Sequence, residues 1–297
     1  MEETAFLLEP HVTLEVSELG ETETNEVLAF LSERPIHTVC MMGMIRDNGL
    51  ISEHNRGTFY GCRNSEGRLE GVALTGHATL IETRTRGAIR ELALSAQTHN
   101  RLHMIMAEQE KVEEFWNQYA DDGQPMRLAC REFLFELTHA VETNSKVEGL
   151  RLATLDELHL IAPVHADMAE AESGINPLQT DREGFLSRCA RRISKNRVWV
   201  LVEDGELIFK ADVQAETSEI IYLEGVYVSL KFRGTGLARR CFTQLCGSLL
   251  TRTRSLCVLT NEDNETAQIF YRMCGFKRIC NYDSIFLKRE DYSSSVN

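Results

Sequence analysis

Two glycines, Gly234 and Gly236, stand where a β-like run gives way to a basic helical pattern in the stretch GVYVSLKFRGTGLARR, residues 225–240. They remove side chains at a point where a ligand can approach the main chain closely. The helix that follows would add free first-turn amides and the positive end of its dipole, a combination suited to a phosphate or pyrophosphate. Between residues 231 and 254 there are six Lys or Arg, at 231, 233, 239, 240, 252 and 254, and no Asp or Glu. In a chain of net charge −13 this is a local island of positive charge.

Three kinds of phosphate site compete for this segment. A P-loop needs G-x-x-x-x-G-K-[ST], which the sequence lacks, so an ATPase or kinase of that type is disfavoured. A dinucleotide fingerprint needs a third glycine where Arg239 stands and an acidic residue about 20 positions on, which is also missing, so NAD is disfavoured.

The third kind fits. Arg233, Gly234, Thr235, Gly236, Leu237 and Ala238 match R/Q-x-x-G-x-G/A between a strand and a helix. Downstream, NEDNETAQIFYRMCGF matches N-x-x-N-x-x-A-x-x-x-Y-x-x-x-G-F with Asn261, Asn264, Ala267, Tyr271, Gly275 and Phe276. At this separation the pair resembles the motifs of the Gcn5-related N-acetyltransferase (GNAT) superfamily, over roughly residues 150–290.

The resemblance implies acetyl-CoA, or another acyl-CoA, as cosubstrate, and acetyl transfer to a primary amine by direct attack without a covalent enzyme intermediate. The amides of Arg233 through Ala238 would cradle the pyrophosphate. Val226, Tyr227 and Val228 would pair with the pantetheine arm and aim an amide at the thioester carbonyl, stabilising an oxyanion. Asn264 would assist on the pantetheine side, and Tyr271 would protonate the departing thiolate. An amine arrives mostly as ammonium and must lose a proton, for which Glu224, two residues before Val226, is the candidate base, directly or through water. Plainer readings stand beside these: a tyrosine on an apolar helix can be a core residue, and an acid in a strand can simply face solvent. The same segments also suit a protein that retains an acyl-CoA site for binding or regulation without catalysis. The acceptor, a small-molecule amine or a protein amine, is not specified, because this fold hosts many substrates.

The elements needed to position these residues are legible in the C-terminal half. ATLDEL (153–158) reads as a helix start with Thr154 as N-cap and Glu157 completing a capping box. Leu158, Ile161, Ala162, His165 and Met168 then mark one helical face, and TDREGFLSRCARRI supplies a second helix. VWVLVEDGELIFKADV reads as a hairpin turning at Asp204-Gly205, and EIIYLEGVYV as a strand. Leu237, Cys241, Leu245 and Leu249, widened by Ala238 and Phe242, give the helix after the glycines a buried stripe. A short strand SLCVLT, the helix closed by Gly275 and a final strand ICNYDSIFLK complete the series. At the end of the first helix, His165, Asp167, Glu170 and Glu172 could line the acceptor entrance or form a solvated face. Arg252 and Arg254 are expected at the surface.

The polar stretch THAVETNSKVEG (138–149) is the best linker, dividing the chain into 1–148 and 149–297. In the first half GTFYGCRNSEGRLEGVALTGHATLIET reads as strands with glycine-rich turns, QEKVEEFWNQYA as a helix burying Phe115 and Trp116, and REFLFEL as a strand. This half resembles the degenerate GNAT-like domain that precedes a catalytic one in some bacterial proteins. RTRGAIREL (84–92) has one glycine and no partner glycine, so no second acyl-CoA site is assigned. The expected fold is α/β: tandem GNAT-like domains, each a mixed, mostly antiparallel twisted sheet flanked by helices, as a monomeric pseudo-dimer or a homodimer.

At 297 residues and 43% hydrophobic content the chain can bury two modest cores. Its acidity argues against a general nucleic-acid partner. Nine cysteines form no C-x-x-C pair and read as reduced thiols of a cytoplasmic protein. No residues show metal-site spacing, and His103 reads as a packed residue. An acidic N-terminal stretch and the lack of an 18-residue apolar run lead to no expectation of secretion or of a membrane partner.

Overall fold

The computed structural model describes residues 13–99, 102–141 and 146–288. In chain order the elements are β1 (Leu14–Glu18), α1 (Thr24–Ser32), α2 (Pro35–Asn48), β2 (Gly57–Asn64), β3 (Leu69–Gly76), β4 (Ala78–Thr83), α3 (Arg86–Gln97), β5 (Met104–Glu108), α4 (Gln109–Tyr119) and β6 (Met126–Leu137). There follow β7 (Arg151–Leu152), α5 (Leu158–Ser173), α6 (Pro177–Thr180), α7 (Arg182–Ser194), β8 (Val198–Glu203), β9 (Glu206–Glu216), β10 (Ile220–Val228), α8 (Leu237–Leu249), β11 (Ser255–Asn261), α9 (Glu265–Met273) and β12 (Lys277–Leu287). They form two compact units. One holds the described residues of 1–33, 47–127 and 284–297; the other holds 34–46 and the described residues of 128–283. Packing therefore assigns 34–46 and most of β6, which lie before the expected boundary at 148/149, to the unit containing the C-terminal half. Of the expected linker, residues 142–145 lie outside the described residues.

In the first unit the strand order is β1-β2-β3-β4-β5, antiparallel except for the parallel β4/β5 pair. Thr85 caps α3, accepting from the Ala88 amide at 3.2 Å, and Ile89, Leu92 and Ala96 turn inward. In α4 the buried residues are Val112, Phe115 and Tyr119, while Trp116 is only partly buried. As expected, Trp116 packs against the same core as Phe115, at its partly buried margin. Gly87, the single glycine of RTRGAIREL, lies in α3 where an added Cβ would come within 2.9 Å of Leu14. His103 packs between the rings of His77 and Phe286.

In the second unit the order is β12-β6-β11-β10-β9-β8-β7, with β10/β11 the parallel pair. The β8–β9 turn has positive φ at Asp204 (49°) and Gly205 (74°), the geometry that matches strand twist in a tight hairpin. Thr154 and Glu157 form the capping box ahead of α5. The α8 stripe is buried as its spacing predicts: Leu237, Cys241, Phe242, Leu245, Cys246 and Leu249 share one core with Phe135, Ile221, Leu223 and Val258 from the sheet. Full burial of one such side chain contributes about 1.5–3 kcal/mol. The sequence reading contained no helix at α2, yet this helix buries Val39, Met41, Met42 and Ile45. Its Gly43 permits close contact with β9, since a Cβ there would fall 2.9 Å from that of Ala215. None of the nine cysteines is joined in a disulfide. Among the described residues no helix is long and apolar enough to cross a membrane.

Candidate active site

Strand β10 changes partners midway. Ile220–Leu223 pairs in parallel with Ser255–Val258 of β11, but from Glu224 onward β10 has no register partner on that strand. There β11 continues against β6 while β10 follows β9, so among the described residues the β11-facing edge of Glu224–Val228 is left without a strand partner. On the β9 side Glu224 faces Asp212 and Tyr227 faces Lys210, leaving Gly225 and Val226 as a bulge with no register partner. Gly225 has φ +61°, and a Cβ there would sit 2.7 Å from the Lys210 ammonium. Val226, Tyr227 and Val228, the expected pantetheine-pairing residues, occupy this edge and are partly buried.

The chain then makes one tight turn at Leu230–Phe232 and enters α8 through Gly234 (φ 74°) and Gly236 (φ 79°). Beyond the adjoining chain, no atom of the described residues lies within 4 Å of a Cβ built on either glycine, so the turn is open to a ligand. Gly236 is the N-cap and offers no side chain, so the helix's first amides depend on other acceptors. Thr235 Oγ1 accepts from the Leu237 amide at 3.3 Å and donates to the Phe232 carbonyl at 2.8 Å. Among the described residues the amides of Gly234, Gly236, Ala238 and Arg239 find no acceptor. The basic island divides in two. Lys231, Arg252 and Arg254 pair with Glu206, Glu216 and Glu219, whereas exposed Arg233, Arg239 and Arg240 have no carboxylate partner among the described residues.

Asn264 caps α9, its Oδ1 accepting from the Ala267 amide at 3.0 Å, which leaves the side-chain NH2 for any ligand contact. Asn261 Oδ1 likewise accepts from the Asp263 amide at 2.8 Å. Tyr271 is 7% exposed, within an aromatic group of Phe135, Phe242, Phe270 and Phe276 at centroid distances of 5.5–6.3 Å. Burial, helped by Cys274, Cys246 and Glu172, pushes its phenol well above the ordinary range, so it remains a proton donor.

A charge network lies behind the bulge. Arg192 of α7 donates from one nitrogen, Nη1, to Glu224 Oε1 (2.7 Å) and Asp212 Oδ2 (3.1 Å), and stands 3.2 Å from His165 Nε2. Its Nη2 donates to Gln214 Oε1 at 2.6 Å. Lys210 Nζ donates to Asp212 Oδ2 at 2.8 Å and to the Gly225 carbonyl at 3.1 Å. Burial and the nearby Lys210 and Arg192 push His165 down to about 3 despite Asp212, so its ring is neutral and Nε2 accepts. His165, Asp212 and Glu224 could each offer a ligand atom to a metal ion. However, Arg192 Nη1 already contacts all three, and this resident cation fills the place a metal would need.

Residues 194–278, which contain the turn, the bulge and α9, match the acetyltransferase (GNAT) domain family. They form a GNAT domain. The fold of the whole chain is similar to that of three solved structures, one of them a tandem GNAT protein. A tandem GNAT protein from the clavulanic acid biosynthesis pathway is 14% identical over 94% of this chain and 100% of its own, with a TM-score of 0.57. A GCN5-related N-acetyltransferase from Sphaerobacter thermophilus is 14% identical over 95% and 98%, with a TM-score of 0.59. A Drosophila protein is 12% identical over 92% and 98%, with a TM-score of 0.67. No curated protein matches the sequence.

Around the GNAT domain's open strand edge, residues from four elements sense one another electrostatically. Glu172, near the end of α5, is exposed at the surface although neighbouring protein crowds its carboxyl. Burial, then the charges of Glu224 and Glu132, push its carboxyl up to about 7, with Lys210 opposing. Tyr222 is pushed well up by burial, Glu224, Cys40 and Glu132, and the Cys40 thiol is raised to about 12 by burial and Glu224. Sequence reasoning grouped His165 with Glu172 at a possible entrance, but His165 belongs to the network behind the bulge. It missed Cys40, Glu132, Arg192, Lys210 and Asp212. A signal for the last two was present: opposite charges two residues apart inside the apolar run LIFKADV share one face of a strand.

Proposed function

We propose that the protein is an acyl-CoA-dependent N-acetyltransferase that moves an acetyl group from acetyl-CoA to a primary amine by direct attack. The observation that carries this reading is the coincidence, in one unit, of an anion-ready turn at 233–238 and a strand edge at 224–228 without a strand partner. Acetyl-CoA would supply the activated acyl thioester. The residues fit it: the free amides of Gly234, Gly236, Ala238 and Arg239 suit a pyrophosphate, with Arg233, Arg239 and Arg240 as available cations.

Val226 to Val228 would pair with an amide-bearing arm as a further strand would, and the Val226 amide would donate to the acyl carbonyl oxygen as negative charge builds there. Tyr271 gives its proton to the departing sulfur. Glu224, the carboxylate first expected to act as base, is committed to Arg192. We assign the base role to Glu172, whose carboxyl at about 7 is part ionised at neutral pH and takes the first proton lost by the incoming ammonium. The nitrogen–carbon bond forms as the carbon–sulfur bond breaks, and the second proton released by nitrogen replenishes Tyr271. Glu132, Glu172 and Glu224 together favour a cationic acceptor.

Thermal shift with acetyl-CoA, followed by thiol release across a panel of amines, tests the reading. Stabilisation and turnover support it, and Gly236→Glu should abolish both by placing a carboxylate at the anion turn. Binding without turnover on any amine assigns a non-catalytic acyl-CoA-binding role. No binding, with Gly236→Glu indistinguishable from the parent, overturns both.

A further inference from the structure

Lys210 is fully buried in the middle of β9, an environment that a charged ammonium enters only at high cost unless it is well paired. Neutralising Asp212 is an incomplete account of its presence, because Arg192 already bonds the same carboxylate oxygen. What Lys210 adds is a hydrogen bond to the main chain, to the Gly225 carbonyl at 3.1 Å. That carbonyl belongs to the one peptide of β10 whose two residues lack register partners on both β9 and β11. Glycine at 225 makes the approach possible, since a Cβ there would stand 2.7 Å from Nζ.

We propose that Lys210 is a positioning residue for acyl transfer: its ammonium fixes and polarises the Gly225–Val226 peptide, so that the Val226 N–H becomes a stronger, pre-oriented donor to the acyl carbonyl. The peptide is trans, so its N–H points away from the carbonyl and hence away from Lys210. A cation on the carbonyl draws electron density through the conjugated unit and strengthens the N–H as a donor, the cooperative effect seen along hydrogen-bond chains. The network of Asp212 and Arg192 holds the ammonium in place, which links Arg192 and Glu224 to the same peptide. A fold that left this bulge to solvent would have to orient the N–H during the reaction; here the orientation is built beforehand. The inference rests on the acyl-CoA reading above and adds the residue that tunes the donor.

The test compares wild type with Lys210→Met and with Lys210→Met/Asp212→Asn, the double variant removing both buried charges together should the single one fail to fold. With carbonyl-labelled acetyl-CoA bound and no amine present, difference infrared spectroscopy reads the polarisation of the acyl carbonyl. The expected result is a smaller downshift in the variants, a roughly tenfold lower kcat, and acetyl-CoA affinity within about twofold of wild type. An unchanged downshift and kcat in a folded variant overturns the proposal while leaving the acyl-CoA reading intact. Independently of any variant, NMR of the wild-type protein should show a scalar coupling between Lys210 Nζ and the Gly225 carbonyl carbon. Its absence also overturns the proposal. Failure of the wild type to bind acetyl-CoA would instead count against the reading on which it rests.

Discussion

If Glu172 takes the substrate proton, the pH profile should carry its signature. The ordinary glutamate value of 4.5 is raised to about 7 by burial, by Glu224 and by Glu132. The carboxylate is then about one-tenth ionised at pH 6, half at pH 7 and nine-tenths at pH 8. From pH 7 to 6, kcat/KM with an amine should fall about fivefold, then by almost tenfold per unit below pH 6, and it should level off above pH 8. Glu172→Gln should lower the plateau by about 10²–10⁴ and remove this limb. Glu132→Gln, which leaves the Arg192 network untouched, removes one like charge and should move the wild-type midpoint to lower pH. The same shift has a stability counterpart. Between about pH 4.5 and 7 the folded protein retains a proton that the unfolded chain has released, so this group's contribution to stability falls as pH rises through that window. A limb that survives in Glu172→Gln, with its midpoint unmoved in Glu132→Gln, would refute the assignment.

Tyr271→Phe should lower kcat by about 10²-fold with acetyl-CoA affinity unchanged, as steady-state kinetics and calorimetry would show, because only the hydroxyl is lost from a packed ring. Phe242→Ala, at a fully buried position touching Phe270, Tyr271 and Phe276, should cost about 3–5 kcal/mol in denaturant unfolding. His165 is held down at about 3 from 6.5, so the unfolded chain binds a proton that the folded protein refuses. Stability should therefore fall as pH drops from about 6.5 towards 3, and thermal melts of His165→Asn should show a shallower decline across that window.

The parts of the site that were legible in the sequence are those made from neighbouring residues. The 233–238 turn, the α8 stripe and the α9 motif each declare themselves within about a dozen positions, because glycine conformation and helical period are local properties. What was not legible arises from distant segments meeting. Arg192 reaches Glu224 from another element, and nothing near Glu224 in sequence announces an ion pair. Helix α2 buries Thr38, Val39, Met41, Met42, Gly43 and Ile45, too many directions to leave the one-sided stripe by which an amphipathic helix is recognised. Strand β6 was visible as a strand, but its register against β11, Leu137 to Leu256, joins residues far apart in the chain.

The contribution of residues 34–46 to the unit that carries the GNAT domain also has a consequence for biogenesis. The helix emerges early in translation, whereas Ala215, against which Gly43 packs, emerges much later. At 5–20 residues per second the delay is roughly 10–35 s, during which the apolar surface of α2 has no native cover. The newborn chain must keep Val39, Met41, Met42 and Ile45 out of wrong associations for that interval. A fragment beginning at residue 149 would lack this helix altogether, and β11 would expose the edge that β6 normally protects. The order of synthesis thus runs against the order of assembly, and the half that carries the GNAT domain cannot be completed from its own stretch of sequence.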